Sequence, residues 1–293
     1  MQLITSFCKL ILQIKFNKRC FILILVYFLI NNVVFLYNNS IVIYMFWISK
    51  KKVFWKDLWE NGFVDIHNHL LWGIDDGSKS LEETRILCNA MQELGITEAI
   101  ATPHTYPGQW NNTSSEIELA YSNYIQNNND FFIKGVSSEY LAESYLENWA
   151  QENNILPLPG KFLLIEFSML FAPTERIMET LFQLKLKGFK LILAHPERYL
   201  YWKNNISAFE RLKTFDFFFQ MNSLSLLGYY GPEVKKLSNQ LLDLEMYDFL
   251  GTDTHRIEHL KFTKNTPLQI KPKNKTQIET LVQANQQFST TTF

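Results

Sequence analysis

Cysteine is scarce in this chain. Three occur in 293 residues, Cys8, Cys20 and Cys88, and their spacing suits neither a disulfide framework nor a thiolate metal site nor a redox pair. Cys88 falls within an apolar helical pattern and reads as a buried thiol. Excess charge of either sign is also lacking. The formal net charge is -1 and lysines gather only toward the two ends, so there is no electrostatic footprint for nucleic acid. No small-residue cleavage site follows the long apolar run near the N-terminus, which argues against a removable signal peptide. What is present is 47% hydrophobic and 19% charged residues, enough for a sizeable core in one large domain or two small ones.

The first 60 residues differ from the rest and form an N-terminal hydrophobic extension. Cys20 to Tyr37 reads CFILILVYFLINNVVFLY, near the minimum length of a membrane span and interrupted by Asn31-Asn32. Lys9, Lys15, Lys18 and Arg19 precede this run and Lys50 to Lys52 follow it, a weak lean toward a cytoplasmic N-terminus. Two readings stand. Residues 20–37 anchor the protein in the inner membrane, or residues 1–44 are an upstream stretch ahead of a start at Met45. Residues 61–285 read as the functional domain and 286–293 as a frayed tail.

From residue 62 onward strand-like and helix-like segments alternate. Apolar or β-branched runs lie at 63–67, 98–102, 131–137, 162–167, 189–194, 216–221 and 247–252. Between them Ser80-x-x-Glu83 and Thr113-x-x-Glu116 read as capping boxes, and Pro173 and Pro232 suit first helical turns. Leu81, Ile86, Leu87, Ala90, Met91 and Leu94 form an apolar stripe that Gly95 ends. Strands apolar on both faces, joined by helices, predict an α/β fold with parallel strands. A β/α barrel fits better than an open sheet, because the chemistry-bearing residues fall at strand C-terminal ends, which converge on one mouth in a barrel.

Those residues come in short motifs. The first strand closes in His67-Asn-His69, and alternate residues of a strand share a face, so both imidazoles can reach one cation. Asp75-Asp76-Gly77 follows at once. Later strands end in Thr-Pro-His104, Ser-Ser-Glu139, Ile-Glu166, Ala-His195-Pro-Glu-Arg198 and Gly-Thr-Asp253-Thr-His255. Imidazole and carboxylate together suit Mn, Zn or Fe, and the set exceeds what one tetrahedral ion needs, which points to two or three bridged ions. Glu139 and Glu166 end hydrophobic strands, where a carboxylate without a cationic partner is costly. Arg198 stands where a guanidinium can grip phosphate oxygens, with Arg256 a weaker second candidate. The loop from Thr105 to Trp110 brings aromatics beside His104, where they could stack on an aromatic substrate. Asp65 and His259 read as structural, and Asp75 as a turn residue rather than a ligand.

The segments VDIHNHLLWGIDDGSKSLEET, AIATPH, GVSSEY, LLIEFS, LILAHPERY and GTDTH, in that order, resemble the polymerase and histidinol phosphatase (PHP) superfamily. Within it they are most similar to the bacterial tyrosine-protein phosphatases of capsule and exopolysaccharide synthesis. The resemblance implies a distorted seven-stranded β/α barrel and a trinuclear site, usually described with manganese. It implies that His67, His69, Glu139 and Asp253 hold one ion, that Glu139, Glu166 and His195 hold a second, and that Asp76, His104 and His255 hold the third. Arg198 matches the family's phosphate-contacting arginine and, with His195, is an expected catalytic residue. The implied reaction is direct attack by metal-bound hydroxide on phosphotyrosine, the substrate being a bacterial tyrosine kinase of polysaccharide export in the cytoplasm. The absence of a Cys-x5-Arg loop agrees. One departure is that arginine follows His255 immediately, at Arg256, rather than several residues on. Two other functions remain open: a small-molecule phosphatase acting on a substrate such as histidinol phosphate, and a non-catalytic, membrane-tethered regulatory subunit.

Overall fold

A computed structural model describes residues 35–37, 40–42, 52–128 and 132–289. The chain divides into two compact units, Met1–Lys51 and Lys52–Phe293. In the first, β1 (Phe35–Tyr37) and β2 (Ser40–Val42) pair antiparallel. The candidate membrane segment 20–37 otherwise lies outside the described residues. Among the described residues no helix is long and apolar enough to cross a membrane.

The second unit is built on parallel strands, and every apolar run picked out above contains one. They are β3 (Phe63–Asp65), β4 (Ile96–Ala101), β5 (His104–Thr105), β6 (Ile133–Val136), β7 (Glu139–Leu141), β8 (Phe162–Glu166), β9 (Lys190–Ala194), β10 (Phe218–Asn222) and β11 (Phe249–Gly251). Hydrogen bonding groups them as a three-stranded sheet, β3-β4-β6, and a six-stranded sheet, β11-β10-β9-β8-β7-β5. The expected single seven-stranded ladder is thus divided. The run at 98–102 continues past a break into β5, and the run at 131–137 into β7. Pro103, which has no N–H to donate, sits in the first break, and Ser137-Ser138 form the second. Two bonds stitch the breaks together, Ser137 N to Ala101 O at 2.9 Å and Glu139 N to Pro103 O at 3.1 Å.

The sheet curls until its two ends meet. Asn68 and Thr254 form a parallel bridge, and Asp253 N donates to His67 O at 2.7 Å. Asp65, read as structural, accepts from the Thr252 backbone N–H and hydroxyl at 3.0 and 2.7 Å. Lower down, the Asn285 amide donates to Val64 O on β3 and Leu250 O on β11, at 2.9 and 2.6 Å. The same curl explains a small inner apolar cluster in which Val64, Ile66, Ile100, Leu164, Ile192, Ala194 and Phe249 come together from strands across the sheet. The neighbouring residues Leu163, Ile165, Leu191 and Leu193 belong instead to the larger core under the helices. Strand alternation separates the two cores.

The helices follow their sequence signals with small departures. Helix α1 (Trp55–Trp59), placed in the N-terminal extension by the sequence, packs into the larger core, with Trp55, Trp59 and Phe63 stacked at centroid spacings of 5.1 Å. At the start of α2 (Leu81–Glu93) the Ser80 hydroxyl accepts from Glu83 N, while the Glu83 carboxylate turns back to Lys79 N. Cys88 is buried there as expected, but Ile86 is 46% exposed, because Thr84 rather than Ile86 completes the buried face. Helix α3 (Ser114–Asn127) carries the full Thr113–Glu116 box. Helices α4 (Tyr145–Gln151), α5 (Glu175–Leu186), α6 (Ile206–Thr214), α7 (Ser223–Leu227), α8 (Pro232–Asp243), α9 (Ile257–Asn265) and α10 (Pro272–Ala284) complete the outer layer. Pro232 opens α8, whereas Pro173 lies one residue ahead of the Thr174 cap of α5.

Residues 286–288, read as part of a tail, close the base of the sheet. Asn285–Phe288 form a helical turn, and the fully buried Phe288 ring meets Phe162 and Phe249 edge-on, each at 5.2 Å. Phe288→Ala should therefore lower unfolding stability by about 3–5 kcal/mol, as for other buried aromatics truncated to alanine. Guanidinium titration measures this, and an unchanged midpoint would return residues 286–288 to the status of a tail.

Candidate metal centre

The polar residues lie at or beyond the C-terminal ends of β3, β8, β9 and β11, while His104 and Glu139, expected to end strands, open the short strands β5 and β7 beyond the two breaks. His195 follows β9 with φ 35° and Asp253 follows β11 with φ 52°, both in the left-handed region. Such residues cost about 1–3 kcal/mol each and persist where surrounding structure enforces them. Here the bends turn both side chains toward one point.

The hub of the cluster there is Glu139, at the start of β7 and fully buried, and Asp253 faces two of the same imidazoles, His67 and His69. Glu139 Oε2 lies 3.2 Å from His67 Nε2, 3.5 Å from His69 Nε2 and 3.1 Å from His104 Nδ1. Its Oε1 lies 3.0 Å from His195 Nε2. Around this hub, Glu166 Oε1 stands 3.5 Å from His104 Nδ1, and Asp253 Oδ1 lies 3.5, 3.4 and 3.3 Å from His67, His69 and His255. Asp76 Oδ1, on the open side, lies 3.6 Å from His104 and 3.3 Å from His255.

Every residue expected to hold metal falls in one of four overlapping groups, each with its donor atoms within 4.8 Å of one another. His69, Asp76, His104 and His255 form one, and His67, His69 and Glu139 another. The other two differ from the expected partition. His195 groups with His67 and Asp253, and His104 takes its place beside Glu139 and Glu166.

The histidine tautomers are set by outer partners. His69 Nδ1 donates to Asp75 Oδ2 at 2.7 Å, His67 Nδ1 to Gln220 Oε1 at 2.7 Å and His255 Nδ1 to Asp253 O at 3.0 Å. Carboxylate and carbonyl oxygens only accept, and Gln220 is oriented by its own Nε2 donating to Met221 O at 2.6 Å. In its neutral form each ring therefore keeps its proton on Nδ1 and turns the lone pair of Nε2 inward, the form that binds metal. Close packing supports this geometry. A Cβ on Gly251 would fall 2.6 Å from Gln220 Nε2 and 2.7 Å from His67 Cβ, so only glycine fits there.

The donor set fits divalent cations. His67 Nε2, His69 Nε2, His104 Nδ1, His195 Nδ1 and Glu139 Oε2 are buried without a hydrogen-bond partner. What distinguishes these five is that they belong to one imidazole–carboxylate cluster, where a single kind of partner, a cation, would satisfy them together. The electrostatics of the metal-free cluster point the same way. Burial disfavours charge on His67 and His104, yet nearby carboxylates outweigh it: Glu139 and Asp253 raise His67 to about 9, and Glu139 and Glu166 raise His104 to about 10. Burial and the adjacent Glu139 raise Glu166 to about 8. The histidines overcome burial at Glu139 and Asp253 and hold both well below the usual carboxylate range. Burial, with Arg198, pushes His195 down to about 4, which keeps it neutral.

Arg198 closes one side. Its Nη1 donates to Asp253 Oδ2 at 2.9 Å, and its guanidinium lies over the Tyr230 ring, 4.6 Å from the centroid. Asn222 Nδ2 donates to the same Asp253 oxygen at 2.9 Å. Arg256 is exposed at the N-cap of α9, and His259 Nδ1 accepts from His255 N at 3.3 Å, a structural role. Sequence reasoning missed Gln220 and Asn222 and undervalued Asp75. The available signals were polar residues in the otherwise apolar FFFQMN run and an aspartate six residues after His69.

A curled parallel sheet with a buried histidine–carboxylate cluster at its C-terminal mouth is the architecture of a metal-dependent hydrolase. Residues 63–286 match the family described as capsular polysaccharide synthesis, CpsB/CapC, and the chain belongs to that family. It is 29% identical over 206 residues to CapC of Staphylococcus aureus, covering 68% of this chain and 79% of that one. It is 28% identical over 207 residues to the tyrosine-protein phosphatase YwqE of Bacillus subtilis, covering 68% and 80%. A solved structure from work on YwqE and on CpsB of Streptococcus pneumoniae, described as metal-dependent tyrosine phosphatases, superposes with a TM-score of 0.62 at 27% identity. That match covers 68% of this chain and 84% of the other.

Two outcomes test the cluster. Asp75→Asn should weaken Mn²⁺ binding by about 10- to 100-fold, read by calorimetric titration, because asparagine has one acceptor oxygen for the two that Asp75 gives His69 and Gly77 N, and no charge to strengthen the His69 bond. Full affinity in that variant would leave Asp75 as a turn residue. Metal uptake should also expel protons, since His67, His104 and Glu166 are protonated at neutral pH in the metal-free protein and each must lose its proton to bind. Affinity should therefore rise with pH from neutrality up to about pH 10, where the last of the three loses its proton, and the heat at pH 7 should vary with the buffer's ionisation enthalpy. Buffer-independent heat would contradict that protonation pattern.

Proposed function

We propose that this chain is a metal-dependent protein-tyrosine phosphatase of polysaccharide synthesis, releasing phosphate from phosphotyrosine without a covalent enzyme intermediate. The observation that carries this reading is the cluster of five histidines and four carboxylates, buried except for Asp76 on its open side, with Arg198 beside it. The relatives named as tyrosine-protein phosphatases support it. The proposed ligands are His67, His69, Asp76, His104, Glu139, Glu166, His195, Asp253 and His255, holding three ions of the manganese type. The two sheets are taken as one distorted seven-stranded barrel, with catalysis residing in residues 61–285.

Divalent ions there would supply Lewis acidity for the phosphoryl oxygens and a nucleophilic water at neutral pH. The chain's own groups do the rest. Arg198 is held by Asp253 and Tyr230, leaving guanidinium N–H groups for the transferring phosphoryl oxygens. Asn222 shares the Asp253 oxygen and so fixes the direction of that pair. The leaving group is a phenol with a pKa of about 10, so its bond to phosphorus breaks with less proton assistance than a serine ester needs. Cys88, buried in α2, has no part in the reaction. The substrate proposed is a phosphotyrosine-bearing kinase of polysaccharide export. A cytoplasmic enzyme, with residues 20–37 as an inner-membrane anchor, fits that substrate.

The deciding experiment is phosphate release by the purified full chain with Mn²⁺ on a phosphotyrosine peptide, a phosphoserine peptide and histidinol phosphate. Chelator-sensitive preference for phosphotyrosine is expected, whereas preference for histidinol phosphate would make the protein a small-molecule phosphatase. Arg198→Ala should reduce turnover by about 100- to 1,000-fold with metal content unchanged. Loss of metal in that variant would make Arg198 a structural partner of Asp253.

A further inference from the structure

We propose that Trp110 selects the aryl group of the substrate, its indole forming the wall against which the phosphotyrosine ring lies. This rests on the phosphatase reading above and adds a specificity-determining residue to it.

The indole lies on the imidazole of His104, with centroids 4.7 Å apart and planes within 14°. Metal ligation needs no such neighbour, since none of the other cluster histidines stacks on a tryptophan among the described residues. Nor is Trp110 a core residue. Trp55 and Trp59 are fully buried, whereas Trp110 keeps part of its surface exposed at the rim.

The loop that carries it is built to hold it still. Tyr106 and Trp110 pair through both backbone bonds, at 2.8 and 2.7 Å, around a turn in which Gly108 takes φ +91°. Gly108 N donates to Asn111 Oδ1 at 2.7 Å. The Asn112 amide donates to His104 O at 2.8 Å and to Ile74 O at 2.9 Å, which ties the loop to the strand end and to the Asp75-Asp76 turn. A preorganised aromatic of this kind binds a flat ring with little ordering cost.

In this proposal the leaving group takes the side of the mouth where His104 and Trp110 lie. Contacts run from His104 to Asp76 at 3.6 Å, to His255 at 3.3 Å, to Asp253 at 3.3 Å and to Arg198 at 2.9 Å. Arg198 stands at one end of this series and Trp110 at the other. A phosphoryl group gripped at the arginine end, over the cluster, sends its ester substituent out through the mouth beside the indole. A phenyl ring there gains a stacking partner, whereas a seryl side chain has no ring to place against it.

The test uses the full chain with Mn²⁺, a non-hydrolysable aryl phosphonate peptide as ring-bearing ligand and inorganic phosphate as ringless ligand. Trp110→Ala and Trp110→Leu should each weaken the aryl phosphonate about tenfold and raise KM for the phosphotyrosine peptide similarly. Inhibition by inorganic phosphate and metal content should stay at wild-type values, and Trp110→Phe should recover most of the loss. Equal weakening of both ligands would overturn the proposal and reduce Trp110 to a brace for His104. No change in either would overturn it as well. Failure of the phosphatase reading would look different: the wild-type protein itself would neither cleave phosphotyrosine nor bind the phosphonate.

Discussion

A carboxylate with no exposure to water, Glu139, sits among four imidazoles, and the rest of the structure is arranged around that fact. Burying a lone carboxylate costs several kcal/mol, so the site is stable only with positive charge close to it. The metal-free protein meets this need with protons on His67 and His104. A divalent ion meets it better, because one cation serves several carboxylates at once and satisfies the inward lone pairs. Delivering four imidazoles to one carboxylate requires β3, β5 and β9, which are not neighbours of one another in the sheet, to converge on β7. The curl of the sheet, its stitched breaks and the left-handed backbone at His195 and Asp253 all serve that convergence.

The curl also explains the layering inside the sheet. At the C-terminal ends of the strands the interior is the polar cluster. Toward the other ends it is aliphatic, and at the base Phe162, Phe249 and Phe288 fill the space. The polar layer is thus walled off from below by apolar side chains, which lowers the local dielectric and strengthens each charge interaction above. Asn285 sits at the seam between β3 and β11 and supplies from its side chain the hydrogen bonds that a continuous ladder would have made.

Much of this was legible in the sequence because strand alternation and motif order are local properties. His67 and His69 share a face by periodicity alone, and each later ligand candidate closes an apolar run, so one mouth followed. What was not legible depends on three-dimensional closure. Gln220 reads as one polar residue in an aromatic run, and only the meeting of β10 with the end of β3 makes it the acceptor for His67. Asp75 looks like turn chemistry, as it is: its Oδ1 accepts from Gly77 N while its Oδ2 holds His69. One carboxylate does both, which no single-residue reading separates. The partition of His104 and His195 between groups likewise depends on ring orientation rather than on order in the chain. Helix α1 and the turn at Phe288 were assigned to flanking segments because their periodicity is too short to register, although both are buried.

The segment from His195 to Arg198 shows how strain at one residue positions another. The left-handed bend at His195 ends β9 and starts a short 3-10 turn whose Pro196 tolerates the lost N–H. That turn drives Glu197 inward, where it accepts from Asn222 N at 2.9 Å and from the Tyr247 hydroxyl at 3.0 Å. With Glu197 committed there, the carboxylate next to Arg198 in sequence is not its partner, and the guanidinium pairs with Asp253 across the mouth. Asn222 touches both arms, its backbone on Glu197 and its side chain on Asp253. One bend therefore aims the His195 ring at Glu139 and sets the arginine over the same cluster, so the His195 imidazole and the Arg198 guanidinium share a single backbone constraint.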